Sequence, residues 1–165
     1  MKGIKARPTL YKGIQMRSRL EADYAAHLDR WGAHWEYEPE CFASEAGQWL
    51  PDFGWSFVKD DSRATLDEVK PAGALIELRQ ADPFAFHGHV DSILTRMTIA
   101  WQSKPDATLQ LTFWQYGGPP WLSVIGHSKT HVWYAEFGFQ PVYLLWPGMG
   151  QVGKCRGREQ EASIA

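Results

Sequence analysis

The sequence predicts a mixed α/β domain in which a central mixed sheet is flanked by helices. Two stretches carry apolar residues at helical spacing. Around them lie short runs rich in aromatic and β-branched residues, bounded by turn signals. The resulting order is helix, three strands, helix, then further strands. A chain of 165 residues suits one domain that buries about 70% of its unfolded surface.

Residues 1–16 read as a basic arm, because Gly3, Pro8 and Gly13 interrupt any periodicity. The first helix is expected from Arg19 to Trp31, with Ser18 as N-cap and Gly32 as the stop. Leu20, Tyr24, Leu28 and Trp31 recur at +4, +4 and +3 and form one apolar stripe, with Glu21 beside its N-terminal end. A strand follows at His34 to Glu38, with Trp35 and Tyr37 on one face. Ala46-Gly47 then turns the chain into a second strand, Gln48 to Phe53, which can run on through Trp55 and Phe57. Lys59-Asp60-Asp61-Ser62 is a polar turn. The third strand, Ala64 to Lys70, sets Leu66, Glu68 and Lys70 on one face, and Pro71 ends it.

The second long helix starts clearly, with Asp82 as N-cap and Pro83 at the first helical position. Phe86, Val90, Leu94, Met97 and Trp101 make its core-facing stripe, Gly88 weakens its first turns, and Lys104-Pro105-Asp106 closes it. His87 and His89 are two positions apart, so they diverge on a helix and read as surface residues rather than joint ligands. Four strands are expected after it: Thr108 to Trp114, Trp121 to Ile125, Val132 to Phe137 and Val142 to Trp146. Beyond Pro147 the composition turns to Gly, Gln and charge. Residues 148–165 are therefore expected to be a flexible tail, which leaves 17–147 as the domain.

Composition narrows the function classes. Hydrophobic residues make up 44% and charged residues 22%, as in an ordinary soluble globular protein. No apolar run approaches the roughly 18 residues of a membrane span, and the basic, Gly- and Pro-interrupted N-terminus is unlike a signal peptide. Cys41 and Cys155 are too few and too isolated for a disulfide framework, and the six His residues show no HExxH spacing, so no zinc site is expected. These features point to a cytoplasmic setting, in a bacterium or an infected cell, and to no membrane partner. The nine Trp residues are read as packing rather than as a binding platform.

The net charge of −2 argues against indiscriminate nucleic-acid binding, but its distribution is uneven. Lys2, Lys5, Arg7, Lys12, Arg17 and Arg19, six of the 17 basic residues, precede the first acid, Glu21. Lys154, Arg156 and Arg158 form a smaller basic cluster near the C-terminus. An arm of this kind either tracks phosphates or is a solvated tail.

Three acids and a lysine carry chemistry together. Asp52 follows Pro51 at a strand end, and Glu68 and Lys70 come 16 and 18 positions later on one strand face. Adjacent strands can set Asp52 beside Glu68, and two such carboxylates repel until a hard cation relieves them. A bound Mg²⁺ polarises a phosphoryl oxygen and makes a nucleophile of its water. Lys70 can then orient that water or steady developing charge, and Glu21 at the helix end can hold a second water or metal. Each residue also has a plain explanation. Ser18 and Glu21 form a capping-box pattern, Pro51-Asp52 suits a turn, and Glu68 with Lys70 suits a surface ion pair.

The words around these residues add a resemblance. Arg17 to Glu21 read RSRLE, Trp35 to Glu40 read WEYEPE, Leu50 to Phe53 read LPDF, and Glu68 to Lys70 read EVK. This ordered series, within about the first 70 residues, resembles the phage junction-resolving endonucleases of the PD-(D/E)XK superfamily. It is also similar to the endonuclease subunit of heteromeric transposases. The resemblance implies a restriction-endonuclease-like fold and a metal-dependent DNA endonuclease of phage or mobile-element type. Such an enzyme hydrolyses phosphodiester bonds with Mg²⁺ or Mn²⁺, leaves a 5′-phosphate and needs no organic cofactor. Glu21, Asp52 and Glu68 would be its metal-site acids and Lys70 its catalytic lysine. Arg17 and Arg19 would lie near the DNA phosphates, while Lys5 and Lys12 are DNA-binding candidates from the charge of the arm rather than from the resemblance. Cutting two strands often needs two sites, so a homodimer is one expected assembly.

One departure is Asp67, where such families carry an apolar residue, and its charge suggests a strand near a sheet edge. Nothing recognisable follows Pro71. The aromatic-rich second half and near-neutral charge keep open an alternative, a nuclease-like fold that serves as a non-catalytic binding or assembly module. An RNA-binding module lacks its usual aromatic and GXXG motifs.

Overall fold

The structure, a computed structural model, describes residues 6–45, 47–60, 64–127, 132–137, 140–144 and 155–156. The first helix, α1 (Arg19–Arg30), opens at Ser18, whose extended backbone and hydroxyl accept the Glu21 N–H at 3.1 Å. The capping box is only half closed, because the Glu21 side chain accepts from the Arg17 N–H instead of that of Ser18. At the other end Gly32 takes φ +75°, and the Gly32 and Ala33 N–H groups bond Asp29 O and Leu28 O, which makes a Schellman stop. Leu20, Tyr24 and Leu28 are buried as the stripe predicts. Trp31 is turned out by that stop and lies half exposed against His27, Trp55 and Phe57.

The expected arm is partly folded. β1 (Thr9–Tyr11) and β2 (Ile14–Met16) form a hairpin through Lys12 and Gly13, both at positive φ. Gly13, which interrupts the pattern, is thus the turn residue. Met16 is fully buried against α1, and Tyr11 and Lys12 both bond Asp29. Lys2 and Lys5 lie outside the described residues.

The remaining elements are β3 (His34–Tyr37), β4 (Phe42–Ser44), β5 (Gly47–Trp49), β6 (Phe53–Ser56), β7 (Thr65–Pro71), α2 (Gly73–Ala81), α3 (Pro83–Met97) and α4 (Ala100–Ser103). They are followed by β8 (Thr108–Trp114), β9 (Leu122–His127), β10 (Val132–Phe137), β11 (Gln140–Leu144) and β12 (Cys155–Arg156). The main sheet runs β12-β11-β10-β9-β8-β7-β6-β3. Every neighbouring pair is antiparallel except β7 and β8, and α2 to α4 supply the crossover that a parallel pair requires. The molecule is therefore mixed α/β.

The single expected strand from Gln48 to Phe53 splits in two. β5 pairs with β4 in a separate ribbon, Leu50-Pro51 leaves the ladder, and β6 joins the main sheet. Helix α2 was not anticipated, and only Leu75 of its nine residues is buried, so it carries little apolar stripe to read. Asp82 caps α3 through the Ala85 N–H at 3.1 Å. The second long helix ends at Met97, with Trp101 in the separate α4. Among the described residues no helix is long and apolar enough to cross a membrane. Apart from β12, the expected tail lies outside the described residues.

Two cores flank the sheet. On one face α1 and the hairpin pack Met16, Tyr24 and Leu28 onto Phe53, Val69 and Trp114. On the other, Phe86, Val90, Leu94 and Met97 of α3 meet Leu66, Leu109, Leu111 and Phe113, joined by Phe42 and Trp49 of the β4–β5 ribbon. Alternation along β7 sends Asp67 and Val69 toward α1, and Leu66 and Glu68 toward α3.

The expectation that Asp67 marks a sheet edge is corrected. β7 lies between β6 and β8, and Asp67 is fully buried. Tyr24 OH, the Thr112 hydroxyl and Trp55 Nε1 all donate to its carboxylate. A buried charge is tolerated there because its oxygens are satisfied. Burial is the main force that lifts its pKa to about 7. The three donors oppose it, and the Glu68 charge adds to it.

Candidate active site

Asp52 is built into the backbone of its neighbours. Its N–H bonds Asp67 O at 3.0 Å, and its carbonyl accepts the Glu38 N–H at 2.9 Å. Its Oδ2 accepts the Val69 N–H at 2.8 Å, so the carboxylate sits on β7 at the residue between Glu68 and Lys70. The side chain is almost wholly buried. Burial first, and then the Glu68 charge, push its pKa up to about 8. Glu21 adds to this, while the Val69 N–H and Arg17 pull the other way.

Glu68 accepts Trp49 Nε1 at 2.8 Å through one oxygen. Its other oxygen lies 3.0 Å from Lys70 Nζ and 3.8 Å from Arg96 Nη2. Glu21, in the first turn of α1, accepts Tyr37 OH at 2.7 Å and the Arg17 N–H at 3.1 Å. A cleft of about 480 Å³ is lined by Arg17, Glu21, Asp52, Glu68, Lys70 and Arg96. The chain thus brings all four residues of the expected acid–lysine set to one place. No family model matches this chain, and neither does any curated protein or solved structure.

Arg17 occupies the centre of the acids. Its guanidinium bonds Asp52, reaches Glu38 at 2.8 Å and stands 3.7 Å from Glu21. The resemblance implied a phosphate contact for this residue, whereas in the structure its donors serve carboxylates. Arg19 lies over the Tyr116 ring at 5.4 Å on the exposed side of α1. Lys12 pairs with Asp29 at 2.8 Å, two turns along α1 from Glu21, and is not brought to the cleft. Lys5 lies outside the described residues, although Ala6 lines the cleft.

Sequence reasoning passed over Tyr37 and Trp49 as site residues, and offered Arg96 only as a phosphate contact in case the basic arm made none. Tyr37 stood inside the WEYEPE word, where its spacing assigned it only to a strand face. Arg96 sits between Leu94 and Met97 of the α3 stripe, where a cation reads as helix surface. Trp49 had no signal beyond its type.

The donor set of carboxylate oxygens suits a hard ion such as Mg²⁺ or Mn²⁺. The raised pKa of Asp52, due first to burial and then to the Glu68 charge, marks a carboxylate whose charge such an ion would relieve. Among the described residues, however, no three acid, His or Cys side chains stand close enough together to hold a metal. The reason is visible in the contacts: Arg17 parts Asp52 from Glu21, while Lys70 and Arg96 take the free oxygen of Glu68. With all three acids ionised, the cleft-lining charges balance, three against three.

Proposed function

We propose that this protein is a metal-dependent DNA endonuclease of the PD-(D/E)XK superfamily, with a restriction-endonuclease-like fold and phosphodiester hydrolysis as its reaction. One observation carries the reading: Asp52 is hydrogen-bonded to the Val69 N–H, which sets it against Glu68 and Lys70 in a single cleft. Nuclease chemistry needs acids and a lysine at that proximity.

Asp52 and Glu68 would hold Mg²⁺ or Mn²⁺, with Glu21 completing the acid set. When bound, the ion supplies Lewis-acid polarisation and a nucleophilic water. Lys70 Nζ, already 3.0 Å from Glu68, would stabilise negative charge developing on the phosphorus-bound oxygens. Trp49 fixes the Glu68 carboxylate by its second oxygen, and Tyr37 does the same for Glu21. Arg17 would release Asp52 as the ion enters and become free to meet a phosphate. A balanced cleft then gains a net positive charge, which a phosphodiester neutralises. We place this activity in a cytoplasmic, phage- or mobile-element-related setting, with a homodimer where two strands are cut.

The test is incubation of purified protein with Mg²⁺ on linear, nicked and branched DNA. Cleavage of any of them, lost on chelation, is the expected result. Absence of cleavage with both Mg²⁺ and Mn²⁺ would refute the reading. The three cations that already neutralise the acids favour one other reading, a nuclease-like module that binds or assembles without cutting. An unfolding temperature indifferent to Mn²⁺, together with no cleavage, would select it.

A further inference from the structure

A second trough lies against the acid cleft. It measures about 460 Å³, and Lys70 and Arg96 line both, so the two adjoin. Its remaining walls are His89, Ser92 and Ile93 of α3. His89, Ser92 and Arg96 stand at i, i+3 and i+7, on one helix face, and all three are exposed. Ile93 is buried beneath them as an apolar floor.

Charge is sorted between the two spaces. The acids line the first, whereas no carboxylate lines the second, only an ammonium, a guanidinium, an imidazole and a hydroxyl. Arg96 meets Glu68 only at 3.8 Å and its side chain is 47% exposed, so most of its five N–H donors remain open to a ligand. A surface lined by two cations and no carboxylate, floored by an apolar side chain and adjoining the site proposed for phosphodiester chemistry, is complementary to a second phosphate of the same strand.

We infer that the trough between β7 and α3 holds the backbone phosphate next to the one cleaved, which makes α3 the strand-guiding element. This rests on the nuclease reading. Arg96 provides the two-pronged contact that suits a phosphate, the His89 ring adds a donor beside it, and Lys70 stands at the junction, while the Ser92 hydroxyl donates to the His89 carbonyl at 2.8 Å on the same exposed face. From His89 to Arg96 the helix rises roughly 10 Å.

The experiment is fluorescence anisotropy of labelled duplex and branched DNA with the full chain, in Ca²⁺ so that binding is read apart from cleavage. Ser92→Glu places a negative charge in the trough at an exposed position, and Arg96→Ala removes the guanidinium. Each is expected to raise Kd about tenfold on both DNAs, through lost or repelled phosphate contacts. Gln102→Glu makes the same charge change on α4, outside the trough, and is expected to leave Kd within about twofold. Unfolding temperatures near that of the unaltered protein establish that the exposed substitutions leave the fold intact. If the unaltered protein binds DNA and both trough variants bind as tightly, the trough is not a phosphate site, while the nuclease reading stands. If the unaltered protein binds neither DNA, the nuclease reading and the trough fall together.

Discussion

Asp52 answers two opposing demands. The Val69 N–H fixes it in place, while burial and the Glu68 charge make its ionised form costly. Asp52→Asn preserves an oxygen acceptor for Val69 and removes the charge. It is expected to abolish cleavage and to raise the unfolding temperature in chelator at pH 8 by about 2–4 °C, the equivalent of about 1 kcal/mol for a domain of this size. Retained cleavage would assign the metal to other residues. Arg17→Ala leaves Asp52, Glu21 and Glu38 without their shared cation. It should lower the unfolding temperature in chelator and enlarge the stabilisation by Mn²⁺, read by thermal melts with and without the ion. An unchanged Mn²⁺ effect would mean that Arg17 does not compete with the metal. Asp52, Glu68 and Lys70 were legible because their spacing is local and their chemistry specific. The place of Arg17 was not, since its partner Asp52 is 35 positions away and only the fold brings them together.

At the scale of elements, β7 carries Glu68 and Lys70 of the candidate site on one face and a buried polar cluster on the other. Both Asp52 and Asp67 have raised folded-state pKa values, about 8 and about 7, against 3.8 for the free side chain. The folded chain therefore binds more protons than the unfolded one across that range, and stability falls as pH climbs from about 4 toward 8. Asp29 works oppositely: Lys12, Tyr11 and Trp35 overcome its burial and hold it at about 2, so its contribution is lost as pH falls below about 4. Metal-free stability is thus expected to peak in mildly acidic buffer. Asp67→Asn should flatten the decline between pH 5 and 8, measured by urea unfolding at each pH; an unaltered slope would remove Asp67 as its cause. The hairpin has its own consequence. Deleting residues 1–12 removes β1 together with the Tyr11 and Lys12 bonds to Asp29, so it is expected to lower stability by about 1–2 kcal/mol. Equal denaturation midpoints would show the hairpin to be an appendage. Sequence periodicity could not find it, because strands of three residues are too short to show a period. The caps at Ser18 and Asp82 were legible because a cap is written in adjacent residues.

Across the whole molecule, the mixed α/β class and the two long helices were readable, whereas the leading hairpin, the full five strands between α1 and α2, and helices α2 and α4 were not. Nor was the parallel pairing of β7 with β8, since register depends on contacts about 43 positions apart that no local pattern encodes. That pairing carries the crossover α2 to α4 and so brings Arg96 to Glu68. It also explains the electrostatic character of the site. The chain has a net charge of −2, and within the cleft three cations face three acids. On the proposed reading, long-range attraction for DNA is therefore expected to be weak until a divalent ion changes the balance. DNA affinity is expected to rise at least about tenfold on adding Ca²⁺ at 0.1 M salt, because the ion both releases Arg17 and adds positive charge where the phosphate sits. Each cation freed to contact a phosphate should steepen the dependence of log K on log[salt] by about 0.9. Arg17→Ala should then lose about that much of the Ca²⁺-induced steepening while keeping the slope seen in chelator. Salt titrations of the unaltered and variant proteins, with and without Ca²⁺, separate the cases. A slope indifferent to Ca²⁺ in the unaltered protein would mean that the acids and Arg17 stay locked together, and that DNA is held elsewhere on the surface.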